Sequence, residues 1–270
     1  MTWKEQPKAW GWFHILGIGL AIVFILAGLS LGRKHPISKD RRKSEMILWI
    51  CCAFFISIEI LKEIMLVIRN GFVLGELPFQ ICSLIIFALP IMILVKKESA
   101  KEALVSFLSS FCMTGAFFYF VKPSTALNST SILISIRSYL WHWMILFTCS
   151  FIIESYEIFR KKKNAFFLKG YGIWLCCLVI AVGIDTLAYF LLPDQNIDFF
   201  YIGYGNKPFY PILNLIFTTQ ICMEYYPLYL IAFALYYGLG SLLMYFLFKG
   251  IHSLEEILVS HTKQKCIPSE

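Results

Sequence analysis

Seven apolar runs, near residues 12–32, 46–68, 78–95, 103–121, 138–156, 171–193 and 227–248, succeed one another along this chain with short polar connections between most of them. A helix needs roughly 20 residues to cross a hydrocarbon core of about 30 Å, and the runs approach that length. Inside lipid, only helices and closed barrels satisfy all their backbone hydrogen bonds. The chain therefore reads as an all-α polytopic membrane protein, a bundle of seven transmembrane helices. With 59% hydrophobic and 15% charged residues, it is too apolar for an ordinary soluble domain.

Short cytoplasmic loops carry excess Lys and Arg, so the basic residues test this division. Seven spans with the N-terminus outside and the C-terminus inside put "RKHPISKDRRK", "KKESAK", "RKKKNAFFLK" and the C-terminal tail on one side, with 17 of the 24 Lys and Arg residues. The other side holds Lys4, Lys8, Arg69, Lys122, Arg137 and Lys207, while Lys62 falls within a span. The asymmetry explains the +7 net charge without nucleic acid, for which no base-reading motif is present. No boundary rich in Gly, Ser or Pro divides the chain, so residues 1–270 read as one integral-membrane domain. The first run ends in "GRKH" with no small-residue cleavage pattern, and is expected to stay in a multi-pass protein of the cell membrane.

Nine cysteines invite a disulfide or metal reading, but the only close pairs are Cys51–Cys52 and Cys176–Cys177, and no CxxC occurs. The five histidines, at 14, 35, 142, 252 and 261, form no HExxH and no Cys/His ligand spacing. Neither a metal nor a cofactor is expected.

Two residues stand out by depth. Pro78 is placed in the first turn of the third span, so Cys82 lies about 6 Å below that helix end at 1.5 Å per residue. The fifth span is expected to begin at about Arg137, which puts His142 about 7 to 8 Å in by the same rise. A thiol and an imidazole at one level of one leaflet are what a Cys–His nucleophile pair needs, and that level is where phospholipid ester carbonyls lie. The plainer readings are that Cys82 packs as a small hydrophobe and that His142, between Trp141 and Trp143, belongs to an interfacial aromatic belt. "QIC" recurs at 220–222, which makes Cys222 a rival nucleophile.

Other polar residues sit within spans. Glu59, Lys62 and Glu63 share a helix face by their spacing and should point into the bundle, as an internal ion-pair cluster or as a transport path. Asp185 is expected to hold a partner helix or orient a catalytic group. His14, near the outer end of the first span, either joins the polar site or faces the interface. The connection before the last span, with "FYPILNLIFTTQICM", is too short to cross and suggests an interfacial or re-entrant helix acting as a lid.

"LPFQIC" at 77–82, His142 at the start of a later helix, His14, "FFYIGYGNKP" and "PLYL" at 227–230 come in an order that resembles the bacterial YwaF-like membrane protein family, which includes a vertebrate acyltransferase that remodels ether phospholipids. The resemblance runs over most of the chain. It implies a seven-helix protein in which Cys82 and His142 carry an acyl chain between glycerophospholipids. Such chemistry also needs polar groups to steady a tetrahedral oxyanion, for which Gln80 and the long loop that carries Lys207 are candidates, with no spacing that selects one. Asp198-Phe199 stands where the family pattern has an Asn-Tyr pair, and two extra residues precede Lys207, which leaves the acceptor open. The expectation is an intramembrane acyltransferase acting on phospholipids or lysophospholipids, a lipase or thioesterase if water is the acceptor. The rivals are a transporter or channel using the buried charges, and a non-catalytic membrane sensor.

Overall fold

A computed structural model describes residues 10–70, 74–122, 132–161, 165–192 and 197–265; Lys4 and Lys8 of the charge count lie outside them. Among the described residues there are helices and turns and no strand. The long helices are α1 (Trp12–Lys34), α2 (Arg41–Asn70), α3 (Ile85–Leu94), α4 (Glu98–Val121), α5 (Ile132–Ser155), α6 (Ala165–Leu191) and α7 (Tyr226–Lys265). Five of them, α1, α4, α5, α6 and α7, are long and apolar enough to cross a membrane. Outside that set are α2, which is interrupted by Glu59, Lys62 and Glu63, and the ten-residue α3.

The core is built on α4 and α5, which are largely covered by their neighbours. Helix α1 lies along α5, and glycines make the approach close. A Cβ at Gly28 would run into the carbonyl of Phe147, and one at Gly32 would lie 2.7 Å from the carbonyl of Phe151. Four residues apart, these glycines form the small-residue face that lets helix backbones touch where lipid supplies no hydrophobic drive. On the outside of the bundle, Leu228, Ile231, Leu235, Leu239 and Leu243 of α7 form an exposed apolar stripe at helical spacing. Such a stripe suits lipid rather than water.

Helix α4 is irregular at its centre. Residues Phe107–Cys112 are wound as a π-helix between α-helical halves. Gly170 of α6 presses on its start, where a Cβ would lie 2.5 Å from Ser106 Oγ. Carbonyls of the widened turns are taken up by other helices: Cys149 Sγ donates to Leu108 O at 3.1 Å and Tyr237 OH to Phe111 O at 2.9 Å. A wider turn changes the face presented by every later residue, and π-stretches often occur at functional sites.

Two expectations about local structure are corrected. The third apolar run does not begin as a helix at Pro78: residues 81–84 form a turn and the helix starts at Ile85. The Gln80 side chain is bonded to the backbone of residues 198–200, and this tether fixes the approach to α3 in a non-helical course. The stretch before the last helix is not one interfacial helix but two short ones, Leu213–Ile216 and Thr219–Glu224. Phe217 and Thr218 are extended between them, and the Thr218 hydroxyl caps the second by accepting from Ile221 N at 3.3 Å.

Candidate active site

Cys82 lies in the turn that precedes α3, half-buried, against the C-terminal half of α4. Gly115 makes room for it. A Cβ there would be 3.4 Å from Ile81 Cγ2, 3.7 Å from the Cys82 backbone nitrogen and 3.0 Å from Tyr237 OH. One helical turn along the same face is Tyr119, whose ring stacks on the imidazole of His142 with centroids 3.6 Å apart and planes at 8°. The Tyr119 hydroxyl bonds the Ser138 side chain, and the residue is near enough to Cys82 and Arg137 to feel their charges. One face of α4 thus brings together the Cys82 turn and His142, which are 60 residues apart in sequence.

His142 is buried, and its Nδ1 is 2.7 Å from the carbonyl oxygen of Ser138. A carbonyl only accepts, so Nδ1 carries the proton and Nε2 is the basic nitrogen. The residue lies ten positions into α5, about 15 Å from its start, because the helix begins at Ile132 rather than near Arg137. Its tryptophan neighbours form no lipid-facing belt at this point. Trp141 is buried edge-on to Phe55 of α2, and Trp143 Nε1 donates to the Gly17 carbonyl of α1 at 2.8 Å.

The supporting candidates separate by role. His14 is buried, with Nδ1 2.6 Å from the Tyr139 hydroxyl; Tyr139 in turn meets Tyr119 edge-on at 5.4 Å. His14 therefore backs the His142 cluster from behind. Glu59 and Glu63 both pair with Lys62, at 2.6 and 2.9 Å, with all three side chains turned mostly inward. The triad neutralises much of its own charge and lies within electrostatic reach of Cys82. Asp185 of α6 accepts from Phe199 N at 3.0 Å and so holds the following loop rather than another helix. Lys207 is exposed on that loop.

Gln80 belongs to the same loop device. Its Nε2 donates to Asp198 O at 2.8 Å and its Oε1 accepts from Phe200 N at 3.0 Å. Phe200 and Tyr201 both have φ of 58°, a left-handed conformation that costs a bulky residue energy and persists only where surroundings enforce it. Here three tyrosine hydroxyls do so: Tyr210 donates to Phe200 O at 3.4 Å, Tyr229 to Tyr201 O at 3.3 Å and Tyr226 to Ile202 O at 2.9 Å. Asp198 Oδ1 accepts from Gly203 N at 2.7 Å, and burial holds this carboxyl above the usual aspartate range. Lys122, at the end of α4, donates to Phe209 O at 2.5 Å and stands 3.3 Å over the Phe209 ring; burial lowers its pKa.

Cys222 sits in the second short helix of the loop region, buried, with its thiol pushed up to about 11 by desolvation. It contacts neither α5 nor His142 in any bond described here. The sequence reasoning missed Tyr119, Gly115 and the tyrosine clamp. A small residue and an aromatic four apart in "GAFFY" was the available signal for the first two.

No curated protein and no solved structure matches this chain. A family model does, over residues 9–245, and with its long apolar helices the protein is integral to a membrane and crosses it more than once; the chain belongs to the TMEM164 family.

Proposed function

We propose that this protein is an intramembrane acyltransferase that moves an acyl chain between glycerophospholipids, in keeping with the ether-lipid remodelling associated with its family. The observation that carries the reading is the shared face of α4: the Cys82 turn rests on Gly115, and His142 stacks on Tyr119 one turn away. In this reading the YwaF-like branch is the chain's place within the family. The bundle crosses the cell membrane seven times with the N-terminus outside, α2 and the Cys82 turn with α3 supplying the two crossings beyond the five long apolar helices.

The Cys82 thiol gives its proton to His142 Nε2 as the sulfur attacks the acyl ester carbonyl. The tetrahedral intermediate expels the glycerol oxygen, which takes the proton from His142, and an acyl thioester remains on Cys82. A lysophospholipid hydroxyl then attacks the thioester, losing its proton to Nε2, and the thiol is regenerated by that proton. With water as acceptor the same steps give a lipase. The paired state of Glu59, Lys62 and Glu63 argues for a packing role and against a transport path.

Intact-protein mass spectrometry after incubation with a defined diacyl phospholipid tests the reading on wild type, Cys82→Ala, His142→Ala and Cys222→Ala. The expected result is a hydroxylamine-labile acyl adduct that is absent only without Cys82 and slow without His142. Folded wild type that forms no adduct with any of a panel of phospholipids would overturn it.

A further inference from the structure

Arg137 is a basic residue of α5 close to this site. It is half-buried on α5, and among the described residues it has no ion-pair or hydrogen-bond partner, whereas Lys62 is held by two carboxylates. Its position follows from helix geometry. Trp141 of α5 meets Phe55 of α2 at 5.1 Å. Arg137 lies one turn from Trp141 towards the start of α5, and Glu59 lies one turn from Phe55 in the matching direction along the antiparallel α2. Arg137 thus faces the Glu59 layer without closing to ion-pair distance. It also lies within electrostatic reach of Tyr119 and His142.

A half-buried guanidinium with no ion-pair partner among the described residues can take an anionic ligand at the headgroup level. Its five donors match a phosphate oxygen pair better than any other membrane anion. Along α5, Arg137 is about 7 to 8 Å nearer the helix start than His142. The headgroup layer of one leaflet is about 5 to 7 Å thick. A lipid whose ester lies at the His142 level therefore has its phosphate near Arg137.

We propose that Arg137 binds the phosphodiester of the donor glycerophospholipid and so sets which ester reaches Cys82. The inference rests on the acyltransferase reading and adds a specificity-determining residue to it. The acyl group comes from phosphate-bearing lipids in preference to neutral glycerides, because only the former bring an anion to Arg137.

The test uses full-length protein in one non-ionic detergent, with a diacyl phospholipid and the matching diacylglycerol as separate donors. Cys82 acylation by the phospholipid is expected to slow about tenfold or more in Arg137→Gln, the loss of one charge-assisted hydrogen-bonded pair. Acylation by diacylglycerol should change less than about twofold, and Arg137→Lys should recover part of the phospholipid rate. Equal slowing with both donors, or no slowing with either, would overturn the proposal and make Arg137 a packing or snorkelling residue. If wild type is acylated by neither donor, the transferase reading fails and native mass spectrometry decides about Arg137. Selective retention of phospholipid over diacylglycerol that is lost in Arg137→Gln then upholds the phosphate site, and equal retention by both proteins overturns it.

Discussion

The imidazole of His142 lies flat on the phenol ring of Tyr119, 3.6 Å between centroids, while the Tyr119 hydroxyl reaches back to Ser138, whose carbonyl holds His142 Nδ1. Two residues, Tyr119 and Ser138, thus fix one ring in plane, tilt and tautomer. Tyr119 is a positioning residue in this arrangement. Replacing it by Leu should leave the fold intact, because the site is at a helix face packed on all sides, but should slow acyl transfer about tenfold or more by loosening the base. Tyr119→Phe keeps the stack and should lose less than about threefold. The measurement is the rate of adduct formation against pH: a loosened base shifts the profile, whereas a packing defect lowers it uniformly.

Cys222 and Cys82 share the local sequence "QIC" and are separated by their surroundings. Cys222 lies buried in a six-residue helix of the loop region, whereas the Cys82 turn rests on the face of α4 that also carries the Tyr119–His142 stack. Cys222→Ala is expected to retain the wild-type yield of acyl adduct within about twofold. Peptide mapping of the adduct checks this directly: an acyl group found on Cys222 would reverse the assignment of nucleophile.

The loop at 197–203 should respond to pH through Asp198. Burial raises its folded-state pKa above the ordinary 3.8, against the pull of the Gly203 N–H. The closed loop therefore binds the proton more tightly than the open chain, so the contribution of this group is greatest below 3.8 and is lost as pH rises through the raised value. Thermal stability is expected to fall between about pH 4 and the raised pKa in wild type, with a smaller fall in Asp198→Asn. Asn still accepts from Gly203 N, so the variant removes the charge without removing the bond. A parallel pH dependence in the two proteins would place the titrating group elsewhere.

Membrane spans were legible because lipid imposes one rule on every residue of a crossing helix, and the runs at 12–32, 171–193 and 227–248 are found as α1, α6 and α7. The expectation that Cys82 and His142 share one depth was read from helix starts that moved. Helix α5 begins five residues before Arg137, and Cys82 precedes its helix altogether. The turn at Cys82 and the irregular centre of α4 are accompanied by long-range contacts that periodicity does not report. Gln80 is bonded to a loop about 120 residues away, and the π-turns of α4 are set by Gly170, Cys149 and Tyr237 from three other helices. The positive-φ pair Phe200–Tyr201 was equally hidden, since neither residue type signals that conformation and the hydroxyls that enforce it lie up to 28 positions on.

At the far end of the bundle, Glu154 of α5 ties three helices together. Arg33 of α1 approaches it at 3.3 Å through two nitrogens, and His252 of α7 lies 3.2 Å from Oε1. The carboxylate is 5% exposed, while Arg33 is 38% exposed and partly solvated. Removing the charge weakens the ion pair to Arg33 and the contact to His252, and so loosens α1 and α7 from α5. Glu154→Gln is expected to cost about 1–2 kcal/mol, less than the 3–5 typical of a fully buried pair because of the exposure of Arg33. The double variant Glu154→Gln, Arg33→Met should lose less than the sum of the singles, since both changes remove the same pairwise interaction. The readout is apparent melting temperature in detergent beside the yield of Cys82 adduct at low temperature. A fall in the first with the second unchanged identifies Glu154 as a structural tie, and additive losses in the double variant would show that Arg33 and Glu154 do not act as a pair.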